Sequence, residues 1–188
     1  MHKEQRVGVF IDIQNLYHSA KNLYQAKVNF KQLVTEVVGE RRLVRAVGYV
    51  VKSDTSIGEA SFFDALNNSG IELRMKDLQI FPGGAKKADW DVGMAVDAIR
   101  MANSFDVIVL VTGDGDFIPL VEYLKWGLGK IVEVAAFNTT TSGKLKEAAE
   151  KFINLEDLPK TLLGARARRP RRGGKTKEVK ENNTEEYL

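Results

Sequence analysis

Five apolar residues, Val107 to Val111, run without a polar break into Thr112-Gly113-Asp114-Gly115-Asp116-Phe117. A short unbroken run rich in Val and Ile predicts a strand buried on both faces, as in the interior of a parallel sheet. The two glycines allow a sharp turn and put no side chain between the aspartates. In an open α/β sheet such a turn lies at the carboxyl edge of the strands, where ligands bind. Two carboxylates fixed there repel by roughly 4 kcal/mol at about 4 Å and an effective dielectric of about 20. A fold tolerates that repulsion when a cation sits between them.

The rest of the chain repeats the theme. Val7–Ile13 (V-G-V-F-I-D-I) is a second continuous apolar strand with Asp12 near its far end. Asn15 is placed to cap a helix carrying Leu16, Ala20 and Leu23, and Asn29 to open a shorter one closed by Gly39. Leu43–Val51 reads as a strand, Thr55/Ser56 to Asn68 as a helix, and Ile71–Phe81 as a strand suited to a sheet edge. After a turn at Pro82-Gly83-Gly84, Asp89 is expected to cap a helix reaching about Asn103. Its core face would be Val92, Ala95, Val96, Ile99 and Ala102, with Asp91 on the border of that face. Helices at Phe117–Trp126 and Ser142–Phe152 flank a further strand at Ile131–Phe137. Such alternation predicts an α/β fold of three layers, a mainly parallel central sheet with helices on both faces.

Composition narrows the chemistry. The 188 residues suffice for one full domain, and there is no cysteine. Disulfides, thiolate zinc sites and a cysteine nucleophile are therefore excluded. With His2 and His18 the only imidazoles, a metal here is expected to be a hard one with oxygen ligands. No apolar signal segment or membrane-spanning run is present, which leads us to expect a cytoplasmic protein with no membrane partner. Nine basic and four acidic residues lie from Lys160 onward, leaving the body slightly acidic. We divide the chain into a domain at 1–160 and a basic tail at 161–188, disordered from Leu163 because it has almost nothing to bury.

Asp12, Asp91, Asp114 and Asp116 are the candidate site. Two of the host strands end on one sheet edge, and the helix bearing Asp91 starts near that same edge. Clustered carboxylates without His or Cys suit magnesium or manganese, which polarise a phosphodiester oxygen and lower the pKa of water. Helix capping is the competing use of any one of these acids.

Three blocks, F-I-D-I-Q-N (Phe10–Asn15), K-K-A-D-W-D-V-G-M-A-V-D (Lys86–Asp97) and T-G-D-G-D-F (Thr112–Phe117), resemble the signature blocks of the NYN domain. That family lies in the PIN-like ribonuclease superfamily, and the LabA-like bacterial branch is the most similar. The resemblance spans roughly Val7–Leu155 and implies a PIN-like, Rossmann-related fold with a metal-dependent nuclease centre acting on RNA. It assigns Asp12, Asp91, Asp114 and Asp116 to the metal and to catalysis. Asn15 becomes an orienting or substrate contact, and Thr112 a support for the cluster. The family's lysine three residues before the helical aspartate is replaced by Ala88, with Lys87 one place earlier as the phosphate contact. Asp89 competes with Asp91 for the metal position. Asp97 also matches a family acid, but helical geometry turns it away from the expected core face.

The resulting expectation is an Mg²⁺- or Mn²⁺-dependent endoribonuclease acting on single-stranded RNA, with a homodimer left open. A non-catalytic RNA-binding or regulatory module is the alternative. A phosphatase would need Asp12 as nucleophile, and Asp12-Ile13-Gln14 lacks the second acid often found two residues on. The glycines around Asp114 are too few for a dinucleotide fingerprint. His18 reads as structural, and Trp90 and Trp126 as packing residues. Trp90 could alternatively stack on a base. The Arg166–Lys175 run can tether a phosphate backbone but lacks aromatics for reading sequence.

Overall fold

The computed structural model describes residues 3–52, 59–77, 79–80, 86–87 and 89–164. The Pro82-Gly83-Gly84 turn and the Arg166–Lys175 run lie outside them. The chain runs β1 (Arg6–Asp12), α1 (Ile13–Tyr24), β2 (Lys27–Val28), α2 (Phe30–Val38), β3 (Arg42–Lys52), α3 (Glu59–Asn68) and β4 (Glu72–Asp77). It continues through β5 (Gln79–Ile80), β6 (Lys86–Lys87), α4 (Asp91–Met101), β7 (Val107–Val111), α5 (Ile118–Glu122), β8 (Ile131–Ala136), α6 (Gly143–Ala148), β9 (Lys151–Asn154) and β10 (Leu162–Leu163). Among these helices none is long and apolar enough to cross a membrane.

Six strands form one sheet in the order β4-β3-β1-β7-β8-β9, and every pairing in it is parallel. Alternate side chains of the central strands serve two separate cores, as the two-residue strand period requires. Val7, Val9, Ile11, Val107, Val109 and Val111 pack with α1, α2 and α3 on one face. Phe10, Ile108 and Leu110 pack with α4, α5 and α6 on the other. Both faces of β7 are thus covered, and all five of its residues are fully buried. The three-layer α/β expectation is met.

The strand order reverses between β1 and β7. The chain first winds outward from β1 through β3 to β4, then crosses back and winds through β7, β8 and β9. The loops leaving β1 and β7 therefore diverge to opposite faces and open a crevice between them at the carboxyl edge. Asp12 ends β1, and Thr112-Gly113-Asp114 follows β7.

Several local expectations are corrected. Asp12, not Asn15, caps α1: its side chain accepts from the Asn15 amide at 3.0 Å. Asn29 does cap α2 as expected, accepting from Gln32. Helix α4 starts at Asp91 with Trp90 in the capping position and no side-chain cap, so Asp89 does not cap it. The core face of α4 is Met94, Ala98 and Met101 with Asp97, while Val92, Val96 and Ile99 face solvent. Both stripes have helical spacing. The observed one prevails because Asp97 meets the Tyr49 hydroxyl, Arg74 and Arg100 there, so its charge is paired on burial.

The last helix is shorter than expected, because Ala149 turns extended and Lys151–Asn154 joins β8 as the sixth strand. Trp126 is 82% exposed and does not pack in the core. The body also continues past residue 160. Thr161 is fully buried, its carbonyl accepts from the Asn29 amide, and Leu162–Leu163 pairs antiparallel with Lys27–Val28.

Candidate metal centre

Four loops and helix starts meet at the crevice between β1 and β7. Asp12 is held where β1 turns into α1, one carboxylate oxygen accepting from the Asn15 amide and the other facing the Thr112 hydroxyl at a long 3.5 Å. Thr112 is fully buried and its hydroxyl also accepts from the Asp114 amide at 3.3 Å. Asn15, in the first turn of α1, reaches across and accepts from the Gly113 amide at 3.3 Å. Asp114 in turn caps the single 3₁₀ turn Gly115–Phe117, accepting from the Asp116 amide at 3.0 Å. The loop after β7 is thereby tied to the end of β1 by side chains from both.

Gly113 and Gly115 do not adopt positive φ, so the sharp-turn explanation fails. Proximity is the cause. A Cβ on Gly113 would lie 3.2 Å from the Thr140 carbonyl oxygen and from Thr141 Oγ1, and one on Gly115 3.1 Å from Ser142 Oγ. The segment leading to α6 closes over the loop, so a side chain at either position would push it aside by a few tenths of an ångström.

Asp91, Asp114 and Asp116 each offer a carboxylate oxygen, and the three oxygens lie within 4.8 Å of one another. Around an octahedral magnesium ion at most one pair of three oxygens is about 4.2 Å apart and the other pairs are about 3 Å apart. The side chains would therefore draw together on binding such an ion. The donors are all carboxylate oxygens, the chemistry that hard divalent cations select. The residues fit a hard divalent cation.

Asp12 lies beside this triad. Burial, against the opposing hydrogen bond from the Asn15 amide, pushes its pKa up to about 6, and the charges of Asp91 and Asp114 add to the rise. Asp91 is also raised, by burial first and then by Asp114, Asp89 and Asp116. Burial and neighbouring carboxylates thus disfavour the charged forms of Asp12 and Asp91 without a counter-ion.

The other candidates are dispersed. Asp89 is exposed and acts on Asp91 through its charge. Lys87 sits on β6, opposite Gln79, and its side chain lies outside the described residues. His18 is exposed on α1 with its ring against Tyr17. Trp90 is a packing residue: its indole N–H donates to the Val50 carbonyl at 2.8 Å and its ring lies 5.5 Å from that of Tyr49. Gly93 gives it room, since a Cβ there would come within 2.6 Å of the indole. Tyr49 and Asp97, which complete this support under the first turn of α4, were not singled out together from sequence. Their contact links a strand to a helix 48 residues away, which no local spacing reveals.

Comparison with known proteins adds three findings. The family model described as the NYN domain matches residues 6–156. The low amplitude and bright protein LabA of Synechococcus elongatus is 26% identical over 167 residues, spanning 83% of this chain and 87% of that protein. A crystal structure of a protein of unknown function from Vibrio parahaemolyticus RIMD 2210633 superposes with a TM-score of 0.78 at 30% identity, covering 87% of this chain and 99% of that one.

Proposed function

The chain belongs to the NYN domain family, and on that premise we propose that it is a metal-dependent endoribonuclease that hydrolyses phosphodiester bonds in single-stranded RNA. The observation that carries this reading is the convergence of Asp91, Asp114 and Asp116 beside the crevice where the strand order reverses. Magnesium or manganese held by these carboxylates supplies Lewis acidity toward a phosphodiester oxygen and lowers the pKa of water.

The chain's own residues hold that arrangement in place. Asn15 fixes the Gly113 amide, and Thr112 links the Asp114 amide to Asp12. Ionised Asp12 adds a fourth negative charge behind the triad, strengthening retention of a dication, and the ion in turn favours that ionised form. We assign Lys87 to a substrate phosphate. The Arg166–Lys175 run is assigned to the flanking backbone, where each neutralised phosphate releases counterions.

The test is cleavage of a labelled single-stranded RNA with and without manganese, by the wild type and by Asp114→Asn. Cleavage that needs the ion and disappears in the variant, with its circular dichroism unchanged, is the expected result. Equal RNA binding and no cleavage by either protein would replace this reading with a non-catalytic RNA-binding module.

A further inference from the structure

Helix α4 turns an apolar stripe outward, with Val92 at 73% and Ile99 at 39% exposure. This stripe is one wall of an open surface groove of about 600 Å³. Pro119 and Tyr123 form the facing wall, and Tyr123 is 49% exposed. Phe117 and Leu120, themselves buried, contribute to its floor.

Two features say what this groove takes. Asp91 and Asp116, members of the acidic triad, also line it, so groove and triad are continuous. Among the described residues lining it, the charged ones, Asp89, Asp91 and Asp116, are all acidic. A neutral flat ring placed along these walls would find apolar side chains and a tyrosine face. A nucleotide carries both chemistries, an anion for the metal side and an uncharged ring for the groove.

We infer that the groove between α4 and Tyr123 is a nucleobase subsite, holding the base of a nucleotide that flanks the scissile phosphate. This deepens the ribonuclease reading and rests on it. Stacking on Tyr123 is the main contact, and it tolerates any base because each has a π face. The subsite thus selects unpaired nucleotides over a duplex, in which the bases are already stacked.

The experiment uses a short labelled RNA and copies carrying one abasic ribose at successive positions, with the full-length chain in manganese. Cleavage is followed as kcat/KM and binding by fluorescence anisotropy. For the wild type, one abasic position next to the cut costs about tenfold. Tyr123→Ala loses about tenfold on the intact strand and nothing further on that abasic strand, while Tyr123→Phe behaves as the wild type. Cleavage indifferent to the missing base and to Tyr123 overturns the subsite and leaves the nuclease standing. If the wild type does not cleave at all, the nuclease reading falls. Anisotropy then decides the subsite by the same coupling between abasic position and Tyr123. Should sedimentation show a dimer that Tyr123→Ala dissociates, a second copy occupies the groove and the inference is wrong.

Discussion

The side-chain oxygen of Asn15 accepts a hydrogen bond from the amide of Gly113 at 3.3 Å, joining the first turn of α1 to the loop that carries Asp114 and Asp116. This bond ties the two sides of the crevice together beyond the point where β1 and β7 stop pairing. Asn15 is neither fully buried nor part of either core, so its removal does not open a cavity. In Asn15→Ala the Gly113 amide loses its partner, costing about 1 kcal/mol of stability. We expect a larger effect on the metal. Manganese affinity, read by isothermal titration, should fall about tenfold, and an unchanged affinity would show that the loop is held without Asn15.

The second prediction concerns pH. Asp12 titrates at about 6 in the folded chain, against 3.8 for an ordinary aspartate. Its folded pKa is raised, so between these values the folded state binds more protons than the unfolded one. Stability is therefore lost as pH rises through about 6, by about 3 kcal/mol in full, and recovered as pH falls toward 4. Asp12→Asn removes the titrating charge yet keeps the cap on α1, since Asn accepts the same amide hydrogen bond. Urea unfolding in a chelator at pH 5 and pH 7.5 should find the variant more stable than the wild type at the higher pH, with a flatter profile. A wild type equally stable at both values would refute the raised pKa.

Much of the architecture was legible because it rests on local signals. Unbroken apolar runs mark strands buried on both faces, and Val107–Val111 has no other way to hide five branched side chains. Asn29 and Gly39 bracket α2 because capping is chemistry between near neighbours. What could not be read depends on distant partners. Helix α4 has apolar residues on two sides, and the choice between them was made by Tyr49 and Arg74, on strands far away in sequence. Lys151–Asn154 became a strand because β8 offered it an open edge, not because of its composition. At the site, strand ends located the acids, yet the division of labour among them was hidden. Asp12 spends one oxygen on an amide and the other on Thr112, while the triad forms beside it.

Asp97 supplies a third prediction. Its carboxylate accepts from Arg100 at 2.7 Å, from the Tyr49 hydroxyl at 3.2 Å and from Arg74 at 3.3 Å. Tyr49 is 1% exposed, and burial with the nearby Asp97 charge raises its pKa far above that of a free phenol. In Asp97→Ala the two arginines can turn to water, but the Tyr49 hydroxyl cannot. A loss of about 2 kcal/mol follows, measured by urea unfolding. Tyr49→Phe in the Asp97→Ala background should recover part of it, since the unpaired hydroxyl is then gone.

The last prediction tests a pair remote from the site. Arg41 and Glu133 form a two-pronged ion pair at 2.8 and 2.9 Å, with side chains 2% and 6% exposed. The same guanidinium donates to the Val37 and Val38 carbonyls and so satisfies the end of α2, while Glu133 sits on β8. Both charges are desolvated, so breaking the pair costs far more than the pair gains over an apolar substitute. Glu133→Ala leaves a buried guanidinium without a counter-charge and should destabilise by about 3–5 kcal/mol. Arg41→Met together with Glu133→Leu should cost much less, although Val37 and Val38 then lose their donor. Urea unfolding of the wild type, Arg41→Met, Glu133→Leu and the double variant gives the coupling energy. A double variant as unstable as the sum of the two singles would show that the ions act independently, against the bidentate geometry.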